Sequence, residues 1–291
     1  MDKKNMEVLK DVSVIIPVYN EEESIGKVID TLKSLYPGLA IIVIDDCSTD
    51  KTYEQITKRD VKAIQHHRNK GYGASLKTGL KNCQTKYALF FDADGQHDPK
   101  DVIRLADEIS GGYDMVIGAR TKDSQVQLAR KPGKWVLHQV ANMMVEQKIP
   151  DLNSGLRIVK AELARNFMHL LPNKFSFSTT ITIIFMKELL EVKFIPIKTV
   201  HRVGKSTVKY FRDGFNTILL IAKIIMLFDP LRIFIPASII IFAIGLIRFA
   251  QMLIQHDLNI VTSLFGMFTG VLIFFFGLLA DQLAMIRREL K

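Results

Sequence analysis

The sequence predicts an α/β domain built on a mainly parallel sheet, followed by an amphipathic helix and a two-helix membrane hairpin. Three observations lead there. From Val12 to about Val200, apolar runs rich in Val and Ile alternate with amphipathic stretches, the pattern of successive βα units. Ile233–Leu253 and Ile260–Ala280 are each 21 residues long, and Arg248 is the only charge in either. Between these regions, Phe211–Phe228 gathers Arg212, Asp213, Asn216, Thr217 and Lys223 within one helical arc, with Phe215, Leu219, Ala222, Ile225 and Met226 largely outside it.

Strands are predicted at Val12–Pro17, Ala40–Ile44, Val61–Gln65, Tyr87–Phe91, Met115–Ile117 and Ile195–Ile197, and helices at Glu22–Ser34, Thr52–Lys58, Ala74–Lys81, Asp101–Ile109, Trp135–Lys148, Lys160–Leu170 and Thr180–Leu190. No internal repeat interrupts this order. The expected division is a catalytic domain over 1–210, a juxtamembrane helix over 211–230 and a hairpin over 231–291 with spans near 233–253 and 260–282. The amphipathic segment reads either as an interfacial helix lying on the membrane or as another helix of the soluble domain. Asp229–Pro230 breaks it before the first span.

At ~1.5 Å per residue each apolar run crosses a hydrocarbon core of ~30 Å. The connection Gln255–Asn259 has no Lys or Arg, whereas Arg232 precedes the first span and Arg287, Arg288 and Lys291 follow the second. The positive-inside rule then puts both termini and the domain before Arg232 in the cytoplasm, as an integral membrane protein. Arg248 is close enough to the connection to snorkel to the interface. The stretch Val12–Val18 is too short for a signal sequence. Cys47 and Cys83 fit neither a metal site nor, in a reducing compartment, a disulfide.

Net charge is +9, and Arg120–Arg212 alone holds 17 Lys and Arg against 6 Asp and Glu. No nucleic-acid motif accompanies that excess, so anionic lipid heads or a phosphate-bearing substrate explain it better than nucleic acid.

The chemistry centres on Asp92-Ala93-Asp94, which ends the apolar stretch Tyr87–Phe91 and opens into Gly95-Gln96-His97-Asp98-Pro99. A strand buried on both faces exposes charge only at its carboxyl end, where α/β sheets bind ligands. Hard oxygen donors there suit Mg²⁺ or Mn²⁺ held partly by substrate phosphates, although Asp-x-Asp alone also fits a solvated turn. Two more strands end in polar groups on that edge: Pro17-Val18-Tyr19-Asn20-Glu21 and Asp45-Asp46-Cys47-Ser48-Thr49-Asp50. Carboxylates accept from base N–H or ribose hydroxyls, and Tyr19 can stack on a base. Ser48 and Asp50 read as helix caps. Asn69-Lys70-Gly71-Tyr72-Gly73 is not a dinucleotide fingerprint, no Walker A sequence occurs, and His66-His67 reads as structural.

Together these residues resemble the family 2 glycosyltransferases with a GT-A, Rossmann-like fold. The motifs are Val14–Glu21, Ile44–Asp50, Asp92–Pro99 and Gly118-Ala119-Arg120, within a resemblance covering roughly residues 12 to 210. With the hairpin, the chain looks like the dolichyl-phosphate mannose synthase branch, which moves a sugar from a nucleotide donor to a polyprenyl phosphate at the cytosolic face. The resemblance implies donor binding by Pro17, Tyr19, Glu21, Asp45, Asp46, Asp92 and Ala93, and a metal held by Asp92, Asp94 and Gln96. It implies acceptor-phosphate binding by Arg120 and by the basic residues after the last strand. That last segment is shifted here, His201-Arg202-Val203-Gly204-Lys205-Ser206-Thr207-Val208-Lys209, leaving Lys205 and Lys209 as alternatives. Phe175–Thr180 stands where many mannose synthases carry acids, so the sugar is left open.

The residues themselves define two substrates, a metal-bound diphosphate and an anionic acceptor. A phosphate monoester, with its second pKa near ~6, attacks without a strong base. One in-line displacement inverts configuration, and the protein supplies positioning and charge. Asp94, Arg120 and Arg202 are the expected catalytic groups, with Arg130, Lys131, Lys134 and Lys205 as further acceptor ligands. A lipid hydroxyl acceptor would instead need a general base; a non-catalytic scaffold would have lost the carboxylates. Gly266 and Gly270 fit either a homo-oligomer contact or packing within the hairpin.

Overall fold

The computed structural model describes residues 3–121, 138–199 except 140, 144, 146 and 175, and 219–289 except 221 and 256–259. The chain divides into two compact units, 1–209 and 210–291.

In the first unit the elements run α1 (Lys3–Lys10), β1 (Val12–Val18), α2 (Ile25–Leu35), β2 (Ala40–Asp45), α3 (Thr52–Thr57), β3 (Lys62–Gln65), α4 (Tyr72–Asn82), β4 (Tyr87–Phe90), α5 (Asp101–Ser110), β5 (Met115–Arg120), β6 (Arg157–Lys160), α6 (Ala161–Asn166), α7 (Phe177–Lys187) and β7 (Val192–Ile197). The strands form one sheet in the order β3-β2-β1-β4-β6-β5-β7. Only β6 runs antiparallel to its neighbours, β4 and β5. All seven residues of β1 are buried, as a central strand covered on both faces requires. Val14, Ile16, Val43, Leu89 and Val116 join Ile25, Ile29 and Leu32 of α2 and Val102, Leu105 and Ile109 of α5 in the core.

This pairing places the carboxyl ends of β1, β2, β4, β5 and β7, together with the start of β6, along one edge. Val18 lies opposite Asp45, Phe90 opposite Arg157, and Arg120 opposite Ile197. Beyond the strands, the Asp46 amide bonds the Val18 carbonyl at 2.9 Å and the Phe91 amide bonds Ile15 at 3.0 Å. Ladder hydrogen bonds thus carry order from the core into the loops.

Two elements differ from expectation. β6 takes residues given to no strand, because Arg-Ile-Val-Lys is short and begins on a charge, and the helix expected from Lys160 begins at Ala161. The polar, eight-residue α1 lacks a long periodic face, yet Leu9 is buried in the core. Among residues 135–148, the described positions 138, 139, 141–143 and 145 are helical.

The second unit contains α8 (Leu231–Gln255) and α9 (Ile260–Glu289), both long and apolar enough to cross a membrane. Ser263, Gly270, Gly277 and Ala284 of α9 are buried at seven-residue intervals, the repeat of a left-handed helix seam. Gly270 packs on Phe242, Gly277 on Phe234, and Gly266 on Gly245, so the Gly266/Gly270 pair is used within the hairpin. Residues 222–228 are helical up to the break at Asp229; residues 211–218 lie outside the described residues.

Gly79 of α4 lies flat against β1 and β2, where a Cβ would overlap Ile15 and crowd Ile44 at 3.1 Å. Gly79→Ala is expected to destabilise the first unit by about 1–3 kcal/mol through overpacking. Urea titration of the full chain followed by circular dichroism would show this as a lower midpoint.

Candidate active site

The loops after β1 and β2 are stitched into one surface. The Asn20 amide donates to Ser48 Oγ at 2.9 Å, and Asn20 Oδ1 accepts from the Thr49 amide at 2.8 Å. Asn20 reaches this geometry at φ 53°, a left-handed conformation that asparagine tolerates. The Glu21 amide donates to Thr52 Oγ1 at 2.8 Å, and Asp50 accepts from the Thr52 amide at 3.0 Å. The N-cap position of α3 is Lys51, without a side-chain cap bond, and Ser48 donates to Asp45, so neither expected cap residue holds the cap position. Tyr19 is left 46% exposed beside this surface, free to offer a ring face.

Asp45 and Asp46, both expected to touch the donor, are buried and bonded within the protein. Asp45 accepts from Ser48 through one oxygen and from Gln65 Nε2, at 2.8 Å, through the other. Asp46 Oδ1 meets His66 Nδ1 at 2.7 Å and the Lys70 amide at 2.8 Å, while Oδ2 accepts from the Gly71 amide at 2.7 Å. His66 Nε2 lies 2.9 Å from Thr78 Oγ1, a structural placement. Gly71, at φ 98°, lets the chain turn its amide onto Asp46 before α4 begins.

Asp92 is held from three sides. The Tyr72 hydroxyl donates to Oδ1 at 2.9 Å, and His97 Nε2 lies 3.4 Å from Oδ2. On the third side the carboxylate fills the space beside Gly155, where a Cβ would overlap it. Burial pushes the Asp92 carboxyl up, but His97, Tyr72 and the charge of Arg157 outweigh it and hold the group below the ordinary carboxylate value. Burial and the Asp92 charge push the Tyr72 phenol well above its usual range, so it remains a donor. Ala93 is buried; Asp94 and Gln96 are partly exposed in the turn, with the Gln96 amide donating to Asp94 Oδ1 at 3.1 Å.

Pro17 lies in β1 opposite Ile44, beneath this edge. Arg120, at the end of β5, makes a two-pronged pair with Asp151: Nε to Oδ2 at 2.7 Å and Nη2 to Oδ1 at 3.0 Å. The Arg120 and Asn153 amides also donate to that carboxylate. Burial pushes Asp151 up, but these bonds prevail and lower its pKa. The expected acceptor ligands Arg130, Lys131, Lys134, Arg202 and Lys205, and the alternative Lys209, lie outside the described residues. Sequence reasoning missed Tyr72, His97, Asp151, Gly155 and Arg157. Asp151 to Arg157 hold no strand-length apolar run, and only the antiparallel return of β6 brings them beside Asp92.

Among the described residues, no group of three or more His, Cys, Asp or Glu could hold a metal. Asp92, Asp94 and Gln96 offer hard oxygen donors in a partly exposed turn, a set that fits a divalent cation whose remaining ligands are water or substrate phosphate. The edge therefore brings together carboxylates that can ligate a cation and an arginine that can bind an anion.

Comparison with known proteins names the family. Residues 13–167 match the family model "Glycosyl transferase family 2", and residues 229–286 match "GtrB C-terminal hairpin". The chain belongs to glycosyl transferase family 2 and carries a GtrB C-terminal hairpin after that domain. It is 31% identical over 218 residues to UDP-N-acetylglucosamine–dolichyl-phosphate N-acetylglucosaminyltransferase of Methanococcus voltae, covering 66% of this chain and 86% of the relative. It is 29% identical over 194 residues to undecaprenyl-phosphate 4-deoxy-4-formamido-L-arabinose transferase of Photorhabdus laumondii, covering 60% and 59%. Glucosyl-3-phosphoglycerate synthase from Mycobacterium tuberculosis, solved with Mn²⁺, UDP and glucosyl-3-phosphoglycerate, shares the fold. The TM-score is 0.59 at 20% identity, covering 76% of this chain and 81% of that one. The first unit is thus a GT-A-like glycosyltransferase domain.

Asp151 has a folded pKa below its ordinary 3.8, so its pairing contributes stability that is complete above that value and lost as pH falls through the depressed one. Asp151→Asn leaves Arg120 without its counter-charge and is expected to cost about 3 kcal/mol at pH 7. Denaturation midpoints measured from pH 7 to pH 3 should converge for variant and wild type toward the acid end.

Proposed function

We propose that this enzyme transfers a sugar from a UDP- or GDP-sugar to a polyprenyl phosphate at the cytosolic membrane face, with inversion and with Mg²⁺ or Mn²⁺. The observation that carries the reading is the single sheet edge bearing Asp92 and Asp94 at the end of β4 and Arg120 at the end of β5. The two carboxylates suit a metal-bound diphosphate, and the arginine suits an anionic acceptor. The family, its hairpin and the two polyprenyl-phosphate transferases among its relatives support the same choice.

Asp94 and Gln96, with Asp92 behind them, would hold the cation, which when bound neutralises charge on the departing nucleoside diphosphate. Tyr72 and His97 fix Asp92 so that its carboxylate needs no reorganisation. Tyr19 offers its exposed ring to the base, with Pro17 and Glu21 completing that end of the donor surface. Arg120, aligned by Asp151, presents its remaining N–H groups to the acceptor phosphate, with Arg202 and its basic neighbours as further ligands. A phosphate oxygen attacks the anomeric carbon as the bond from that carbon to the diphosphate oxygen breaks, and no protein acid is needed. A hydroxyl acceptor would require Asp94 or another carboxylate as base, yet Asp92 and Asp151 are committed to Tyr72 and His97 and to Arg120, and Asp94 is taken up as a cation ligand. The acceptor lipid stays in the bilayer, and the hairpin keeps the enzyme there with it.

The test offers radiolabelled UDP- and GDP-sugars to full-length protein with a short polyprenyl phosphate and Mn²⁺ or Mg²⁺. Metal-dependent label in a mild-acid-labile lipid is expected, with Asp94→Asn slower by about 100-fold or more, the scale for losing one preorganised charge-stabilising group. Label appearing instead on a lipid bearing only hydroxyl groups would refute the acceptor assignment.

A further inference from the structure

Arg157 is the largest fully buried side chain of the described residues, and it forms no ion pair among them. Its Nη1 donates to the Ser178 carbonyl and to Thr182 Oγ1, each at 2.8 Å, and Nη2 donates to the Ser154 carbonyl. Nε has no hydrogen-bond partner among the described residues. All three acceptors are neutral. A guanidinium removed from water without a directly paired carboxylate is costly, and its bonds to neutral acceptors leave its charge to act at a distance on Asp151 and Asp92.

Position gives that charge an object. Arg157 opens β6 opposite Phe90 of β4, which is two residues before Asp92, and opposite Ile117 of β5, which is three residues before Arg120. In Phe90–Pro99, Gly118–Thr121 and Pro150–Arg157 the carboxylates are Asp92, Asp94, Asp98 and Asp151, against Arg120 and Arg157. Arg120 is already engaged with Asp151. An edge so weighted would attract a cation and repel the phosphates of both substrates.

We propose that Arg157 is a positioning residue whose fixed, buried charge offsets these carboxylates, so that the edge accepts a nucleoside diphosphate as well as a metal. This deepens the transferase reading given above and rests on it. Burial lowers the Arg157 pKa to about 10, which leaves the group charged at neutral pH. Beneath the edge its field is screened less than that of a surface lysine. The charge acts with opposite sign on the two ligands: it weakens metal binding and strengthens diphosphate binding.

A purely structural tie would move both affinities the same way, and this separates the alternatives. Full-length protein would be titrated with Mn²⁺ alone, followed by electron paramagnetic resonance, and with UDP and GDP in the presence of Mn²⁺, followed by calorimetry. For Arg157→Gln, Mn²⁺ binding should tighten and nucleoside diphosphate binding weaken, each by roughly tenfold for a unit charge at this range. Arg157→Lys should restore both to within about threefold. Thr182→Val, which removes one tie and no charge, should match wild type in both. Folded Arg157→Gln that leaves both affinities unchanged, or weakens both together, overturns the proposal. If Arg157→Gln does not fold, Arg157→Met replaces it with the same two outcomes, and weakened binding in Thr182→Val contradicts the charge role. Should wild type bind neither nucleotide, the donor reading fails and the Mn²⁺ titrations alone judge Arg157.

Discussion

The carboxylate of Asp92 occupies the space that a side chain at residue 155 would need. Much of the site depends on that exchange of volume. For Gly155 to lie there, the chain must return from β5 and enter β6 antiparallel to β4, which fixes Arg157 opposite Phe90. The same return brings Asp151 against Arg120 and lets Ser154 tie to Arg157. From the other side, the Asp46 carboxylate gathers the amides of Lys70 and Gly71, so that Tyr72 begins α4 within reach of Asp92. Two short segments far apart in sequence thereby hold one turn of the candidate site.

Electrostatics and topology are linked in this arrangement. A parallel sheet collects loop ends at one edge, and carboxylates brought there would repel one another and any phosphate. Protein donors relieve part of the strain: Asp45 and Asp46 are satisfied by side chains and amides, Asp151 by Arg120, and Asp92 by Tyr72 and His97. Asp94 and Gln96 remain partly exposed in the turn after β4. The division of labour between the two carboxylates of Asp-x-Asp follows from what surrounds each.

Much of this was legible in the sequence. Apolar runs located six of the seven strands, and the strand-end motifs placed Tyr19, Asp92 and Asp94 on one edge, because a parallel sheet permits little else; Arg120 came from the family resemblance. The two spans were visible in length and hydropathy, and α8 and α9 extend them to 25 and 30 residues. What escaped was long-range. β6 is four residues beginning with a buried arginine, and neither periodicity nor charge marks such a strand. Asp45 and Asp46, expected at the donor, are also reached by Gln65, His66 and Gly71, which nothing local announces. The Gly266/Gly270 spacing could not choose between partners until Gly245 and Phe242 were seen against it.

The central claim is that Asp94 and Gln96, on a turn braced through Asp92, receive the metal of a nucleoside diphosphate. Its most direct test is a crystal structure of the full chain with Mn²⁺ and UDP or GDP, recorded at the manganese absorption edge. The account predicts an anomalous peak bridging Asp94 and the diphosphate oxygens, with Asp92 still held by Tyr72. A nucleotide bound with manganese ligated elsewhere, or with Asp94 turned away from it, would contradict the account.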